Sequence, residues 1–143
     1  MVWTSRIIAI IAFGRSAYSF WYLAVGLLAR FGVAQPLGAT TFEAEALGHL
    51  PALQYMVWAA YASGYSLVGV MLLARSGWVV PIVVATVTVD MSYWILMLFS
   101  DSYSALTALA DGYVDLFINI ANFTILIGSV LLAIYWSRLT PRH

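Results

Sequence analysis

Apolar residues gather in four runs, at residues 7–29, 52–74, 78–99 and 113–136, and the stretches between them hold most of the charged positions. Each run reaches the roughly 20 residues that a helix rising 1.5 Å per residue needs to cross about 30 Å of hydrocarbon. The runs are apolar all round, whereas membrane barrels use shorter segments of alternating polarity. The pattern predicts an all-α chain, an integral membrane four-helix bundle forming a single transmembrane domain over residues 1–143. The first run resembles a secretory signal in having Arg6 ahead of an apolar core. Arg15 interrupts it and it is too long, so it is expected to be retained.

Polar residues inside the runs fall at helical spacing. In the first run Arg15, Ser19 and Tyr22 follow i, i+4, i+7; in the second, Gln54, Trp58, Tyr61 and Tyr65 share a face. The third carries Thr86, Asp90 and Tyr93, and the fourth Asp115, Asn119 and Asn122. Measured from the inner end of each run, the helical rise puts Arg15 about 12 Å deep, Tyr65 about 14, Ser19 and Asp90 about 18, Tyr61 about 20 and Asn122 about 21. One polar layer is therefore expected, with Arg15 paired to Asp90. An unpaired carboxylate at that depth costs roughly 2.5 to 3.5 kcal/mol on insertion scales, so Asp90 needs a partner, a proton or a function. The plainer account is that these groups serve as interhelical hydrogen-bond partners, worth about 0.6 to 2 kcal/mol each.

The connecting stretches add detail. Gly32, Pro36 and Gly38 break the first helix, and Thr40-Thr41-Phe42-Glu43 offers a capping box with Thr40 as N-cap of a short helix running to about Leu50. That helix is expected at the outer interface, with Phe42, Leu47 and Leu50 dipping into headgroups or covering the bundle. A second outer turn is expected over residues 102–111. Arg75-Ser76-Gly77 is a tight turn that makes the second and third helices antiparallel neighbours. Ala59, Ala60, Ser63 and Gly64 supply small-xxx-small pairs that allow close helix approach.

Charge sets the expected orientation. Arg6, Arg75, Arg138 and Arg142 fall on one side without an acid, while Glu43, Glu45, Asp101, Asp111 and Asp115 share the other side with Arg30 alone. The positive-inside rule then places both termini in the cytoplasm, in a plasma or bacterial inner membrane.

Composition narrows the chemistry. Of 143 residues, 64% are hydrophobic and 8% charged, with a formal net charge of zero. No basic patch exists to hold nucleic acid. The chain has no cysteine and no lysine, which removes disulfides, iron–sulfur clusters, thiolate zinc sites and a retinal Schiff base. Glu45 with His49, and Asp111 with Asp115, are spaced i, i+4 and form the one cluster a surface metal would use; a solvated acidic loop is the simpler expectation. His49 and His143 are expected on opposite faces and make a poor haem pair. No HExxH, nucleophile elbow, phosphate loop or CxxC occurs, so no cofactor is identifiable and the reading leans against an enzyme.

The stretch Leu47-Gly48-His49-Leu50-Pro51-Ala52, a helix ending Gly69-Val70-Met71-Leu72-Leu73-Ala74-Arg75, and another apolar helix directly after it resemble the DoxX-like small membrane proteins. That resemblance implies a four-helix membrane fold, and for some members a place beside quinone-linked oxidoreductases. Three functional expectations remain open. The first is a noncatalytic accessory or anchoring subunit, partnered by the lipid bilayer and another membrane protein or a second copy of itself. The second is a small transporter or channel-like protein moving a proton or small polar solute through the polar core. The third is a quinone-linked membrane subunit.

Overall fold

The computed structural model describes residues 2–33, 36–97 and 113–139. They form α1 (Val2–Arg30), a 3-10 turn (Pro36–Gly38), α2 (Thr41–Gly48), α3 (Ala52–Leu73), α4 (Val79–Met97) and α5 (Tyr113–Leu139), and among the described residues there is no strand. Three segments, Trp3–Arg30, Ala52–Leu73 and Phe117–Arg138, are long and apolar enough to cross a membrane. The fourth long helix is shorter: the apolar stretch in α4 is Val79–Ile95. Its full 19 residues cover about 28 Å at the helical rise. The turn expected over residues 102–111, with Asp101 and Asp111, lies outside the described residues, as do Arg142, His143 and the side chain of Asp115.

Local chemistry explains the helix ends. The first helix begins well ahead of its apolar run because Trp3, Ser5 and Arg6 are compatible with helix, and an apolar window does not register them. It stops in a Schellman arrangement: Val33 N–H donates to Leu28 O at 3.1 Å and Gly32 N–H to Ala29 O at 2.9 Å, with Gly32 at φ 88°. α2 has the capping box its sequence offers. Glu43 N–H donates to Thr40 Oγ1 at 3.2 Å and Thr40 N–H to Glu43 Oε2 at 2.8 Å. Its Ala44 and Leu47 are buried, whereas Phe42 remains exposed. Buried Leu47 and Leu50 thus cover the bundle, and Tyr55 OH donates to Leu47 O to tie α2 to α3.

Close approaches fix the packing directions. A Cβ placed on Gly26 would meet Tyr55, and one on Gly69 would meet Phe13, so α1 and α3 run antiparallel. Gly64 faces Thr86 across the α3–α4 turn; Gly128 faces Ile8 while Asn122 meets Arg15, which makes α5 antiparallel to α1. One end of the bundle therefore carries the start of α1, the α3–α4 turn and the end of α5. The opposite end carries α2.

Apolar side chains cover the outside of the bundle as well as filling its core. On α5, Asn122, Ile125, Ser129 and Leu132 are buried, while Phe117, Ile120, Phe123, Ile127, Leu131 and Ile134 are exposed. An apolar stripe covering the outside of a helix suits hydrocarbon and not water. Toward the α3–α4 turn the core is aliphatic, built from Val68, Leu72, Val79, Val83 and Ile125. Toward α2 it is aromatic and polar, with Gln54, Tyr55, Trp58 and Tyr61. The two halves meet at Arg15.

Candidate functional site

Each long helix contributes at least one member to a buried polar cluster. Arg15 comes from α1, Tyr65 from α3, Asp90 from α4 and Asn122 from α5, all brought to one level by the antiparallel packing. Arg15 Nη2 donates to Asp90 Oδ2 at 2.8 Å, with side-chain exposures of 7% and 8%. Arg15 Nε donates to Asn122 Oδ1 at 3.1 Å, and Nη1 reaches Ser19 Oγ one turn along α1. Ser19 Oγ in turn donates to the carbonyl of Arg15 at 3.1 Å. The guanidinium carbon lies 5.3 Å from the ring centroids of both Tyr61 and Tyr65, within cation–π range.

Asp90 Oδ2 is the focus of the donors. Besides Arg15 it accepts from Asn122 Nδ2 at 2.9 Å and stands 2.9 Å from Tyr65 OH, which also lies 2.8 Å from Asn122 Oδ1. A phenol has one proton, so Tyr65 shares it between these two acceptors. The Asn122 amide is oriented by its neighbours: reversed, it would set its NH₂ against Arg15 Nε and its oxygen against Asp90. The positive and negative charges cancel within the cluster. Coulomb attraction is strengthened in such a medium, and hydrogen bonds on both partners offset part of the desolvation cost.

The other residues expected in the polar layer divide. Tyr61 joins through its ring. Thr86 is buried but turns its hydroxyl back to Ile82 O at 2.8 Å, so it belongs to α4 and not to the network. Asn119 lies half-buried on α5, three residues before Asn122. Tyr93 is half-buried, and its enclosed hydroxyl oxygen makes no hydrogen bond among the described residues, with the Gln54 side chain beside it. Glu45 and His49 are exposed on α2 and at its C-cap, and among the described residues no group of three or more His, Cys, Asp or Glu is gathered for a metal.

Two features escape a reading of the sequence. Ser16 Oγ donates to Ala62 O at 2.7 Å and meets Ser66 Oγ at 2.7 Å, forming a second polar tie between α1 and α3. Because the Ser16 proton goes to the carbonyl, Ser66 is the donor in the hydroxyl pair. Ser129 is fully buried, and its hydroxyl makes no hydrogen bond among the described residues. The Ser16–Ser66 tie has a weak signal in Ser16 following Arg15 on the buried side; Ser129, set in an apolar run, has none.

Comparison of the chain with protein-family models, with curated proteins and with solved structures finds no match.

Proposed function

We propose that this chain is a small polytopic membrane protein with four spans, acting as a noncatalytic accessory or anchoring subunit of a membrane complex. The observation that carries this reading is the use of Arg15: Nε, Nη1 and Nη2 each meet a side chain of the bundle, and two phenol rings flank the guanidinium. A charge satisfied so fully from within acts as a lock on helix order. α4 is counted as a span because Asp90, in its second half, sits at the same level as residues in the interiors of the three longer apolar helices. The outward apolar faces of α3 and α5 are then available to lipid and to a partner.

Extraction in a mild detergent followed by mass spectrometry of intact complexes tests the reading. A stoichiometric membrane protein partner is expected, and a quinone-linked oxidoreductase among such partners would fit the DoxX-like resemblance. A lone chain or homo-oligomer overturns the subunit role.

A second reading has its own observation. The enclosed hydroxyl of Tyr93, which makes no hydrogen bond among the described residues, lies one helical turn beyond Asp90 on α4, toward the aromatic half of the core. It offers a hydrogen bond to a small polar solute or water beside the network, as a transporter or channel-like protein would need. Solute or proton flux in proteoliposomes that is lost in Tyr93→Phe, with thermal stability retained, would favour this reading over the subunit.

A further inference from the structure

At the α2 end a cavity of about 520 Å³ opens between the close of α1 and the length of α2, lined among others by Arg30, Thr41, Glu45, His49 and Leu50. Its volume is in the range of small-ligand sites, roughly 300 to 1,000 Å³. Both signs of charge face it. Arg30 and Glu45 line the same space, yet the ion pair found among the described residues is Arg15–Asp90, so these two charges are not spent on each other. Among the described residues the Arg30 guanidinium is steered by a long bond, Nη1 to Leu50 O at 3.4 Å, and by Tyr55, whose ring is 5.9 Å away and whose hydroxyl is within its reach. That leaves most of its five N–H donors for a ligand.

Position supplies the second argument. The apolar segment of α1 ends at Arg30 and that of α3 begins at Ala52, so the cavity lies at the margin of two candidate spans, where headgroups meet hydrocarbon. Leu53 and Met56, each 69% exposed, lie in the first turns of α3, which begins two residues after the cavity-lining Leu50. A polar cavity holding a separated cation and anion above an exposed apolar strip is complementary to a zwitterionic amphiphile.

We infer that this cavity binds a phospholipid whose headgroup joins a phosphodiester to a primary ammonium. Arg30, assisted by the imidazole N–H of His49, receives the phosphodiester; Glu45 receives the ammonium; the acyl chains lie along Leu53 and Met56. A purely anionic lipid leaves Glu45 facing negative charge, and a free cation leaves Arg30 without a partner. The inference concerns lipid and is independent of any protein partner. It rests on α1 and α3 lying in the membrane.

The test uses the full chain in detergent, titrated with dioleoyl phosphatidylethanolamine or dioleoyl phosphatidylglycerol and read by mass spectrometry of the intact protein–lipid species. One ethanolamine lipid is expected to bind saturably, about tenfold or more tighter than the glycerol lipid. Arg30→Gln and Glu45→Gln should each weaken it about tenfold, the loss of one hydrogen bond to a charged group. Both positions are exposed, so melting temperature should hold; if Arg30→Gln does not fold, Glu45→Gln decides alone. Equal binding of the two lipids, or binding indifferent to the substitutions, overturns the site. Soluble O-phosphoethanolamine binding as tightly as the lipid overturns the membrane source of the ligand.

Discussion

Arg15 Nη2 and Asp90 Oδ2 stand 2.8 Å apart although 75 residues separate them in the chain. Removing either partner strands the other charge in a core that offers it incomplete compensation. Breaking such a pair costs roughly 3 to 5 kcal/mol, whereas replacing both members with apolar residues is often neutral or stabilising. Arg15→Leu and Asp90→Leu should each lower thermal stability in detergent, and the double substitution should recover much of the loss. Additive losses would reject the coupling. If the stable double mutant still assembles with its partner, the pair is a structural lock.

Asn122 bonds to both charges and so completes the network. Asn122→Leu removes the acceptor of Arg15 Nε and a donor to Asp90 Oδ2 while leaving the ion pair in place. The expected loss is about 1 to 3 kcal/mol, the penalty for buried groups left short of partners, and smaller than that of either charge deletion. Thermal melts of the three single variants side by side give the ranking, and an Asn122→Leu variant as stable as the parent would remove Asn122 from the network.

Much of this network is legible in the amino-acid sequence. Arg15 is the sole cation and Asp90 the sole acid deep within the apolar runs, so a shared bundle leaves each one ionic partner. Helical spacing likewise puts Gln54, Trp58, Tyr61 and Tyr65 on one face, and all four are buried. What spacing cannot decide is where a hydroxyl turns. Thr86 lies on the same stripe as Asp90, yet a β-hydroxyl in a helix has its own carbonyl one turn back within reach and takes it. The α3–α4 turn shows the same limit: Arg75-Ser76-Gly77 reads as a tight turn, yet spacing does not tell that the left-handed position falls on Arg75, at φ 53°, and not on the glycine. Helix ends depend on backbone hydrogen bonds that composition records only weakly.

That turn carries a prediction. Ser76 N–H donates to Met71 O at 3.0 Å and Arg75 N–H to Leu72 O at 3.4 Å, the pattern in which the left-handed residue is usually glycine. An L-residue there costs roughly 1 to 2 kcal/mol, part of which glycine gives back through its freer unfolded chain. Because Arg75 is exposed, Arg75→Gly removes no core packing and should raise stability by about 0.5 to 1 kcal/mol, visible as a higher melting temperature. A lower one would argue that Arg75 makes contacts in the membrane that outweigh its backbone strain.

Close packing of α3 on α4 depends on Gly64. A Cβ there would lie 2.3 Å from Thr86 Oγ1 and 2.8 Å from Thr86 Cγ2, too near for either to remain. Overpacking of this kind costs about 1 to 3 kcal/mol, so Gly64→Ala should destabilise, and adding Thr86→Ala should restore part of the loss by removing both atoms. Gly14 provides the control, since nothing lies within 4 Å of its built Cβ. Gly14→Ala should be neutral or stabilising by up to about 1 kcal/mol from helix propensity alone. Equal effects at the two glycines would show that local propensity, and not the α3–α4 approach, controls the response.

Whether α4 crosses the membrane decides the number of spans, and two exposed positions read it directly. Phe42 lies at the α2 end and Ser137 at the end shared with the α3–α4 turn, with α3, α4 and α5 between them in the chain. Three crossings put these residues on opposite sides of the bilayer; two crossings, with α4 held within one leaflet, put them on the same side. Arg6, Arg75 and Arg138 gather at the Ser137 end, while Glu43 and Glu45 lie at the other, so the Ser137 end is expected in the cytoplasm. The chain is free of cysteine, so Phe42→Cys and Ser137→Cys each introduce a single reporter thiol. With four spans, an impermeant maleimide applied to intact cells should label Phe42→Cys and leave Ser137→Cys unlabelled until the membrane is opened. Labelling of both from outside the intact cell would remove α4 from the spans, and labelling of each thiol from both faces would show that the chain inserts in two orientations.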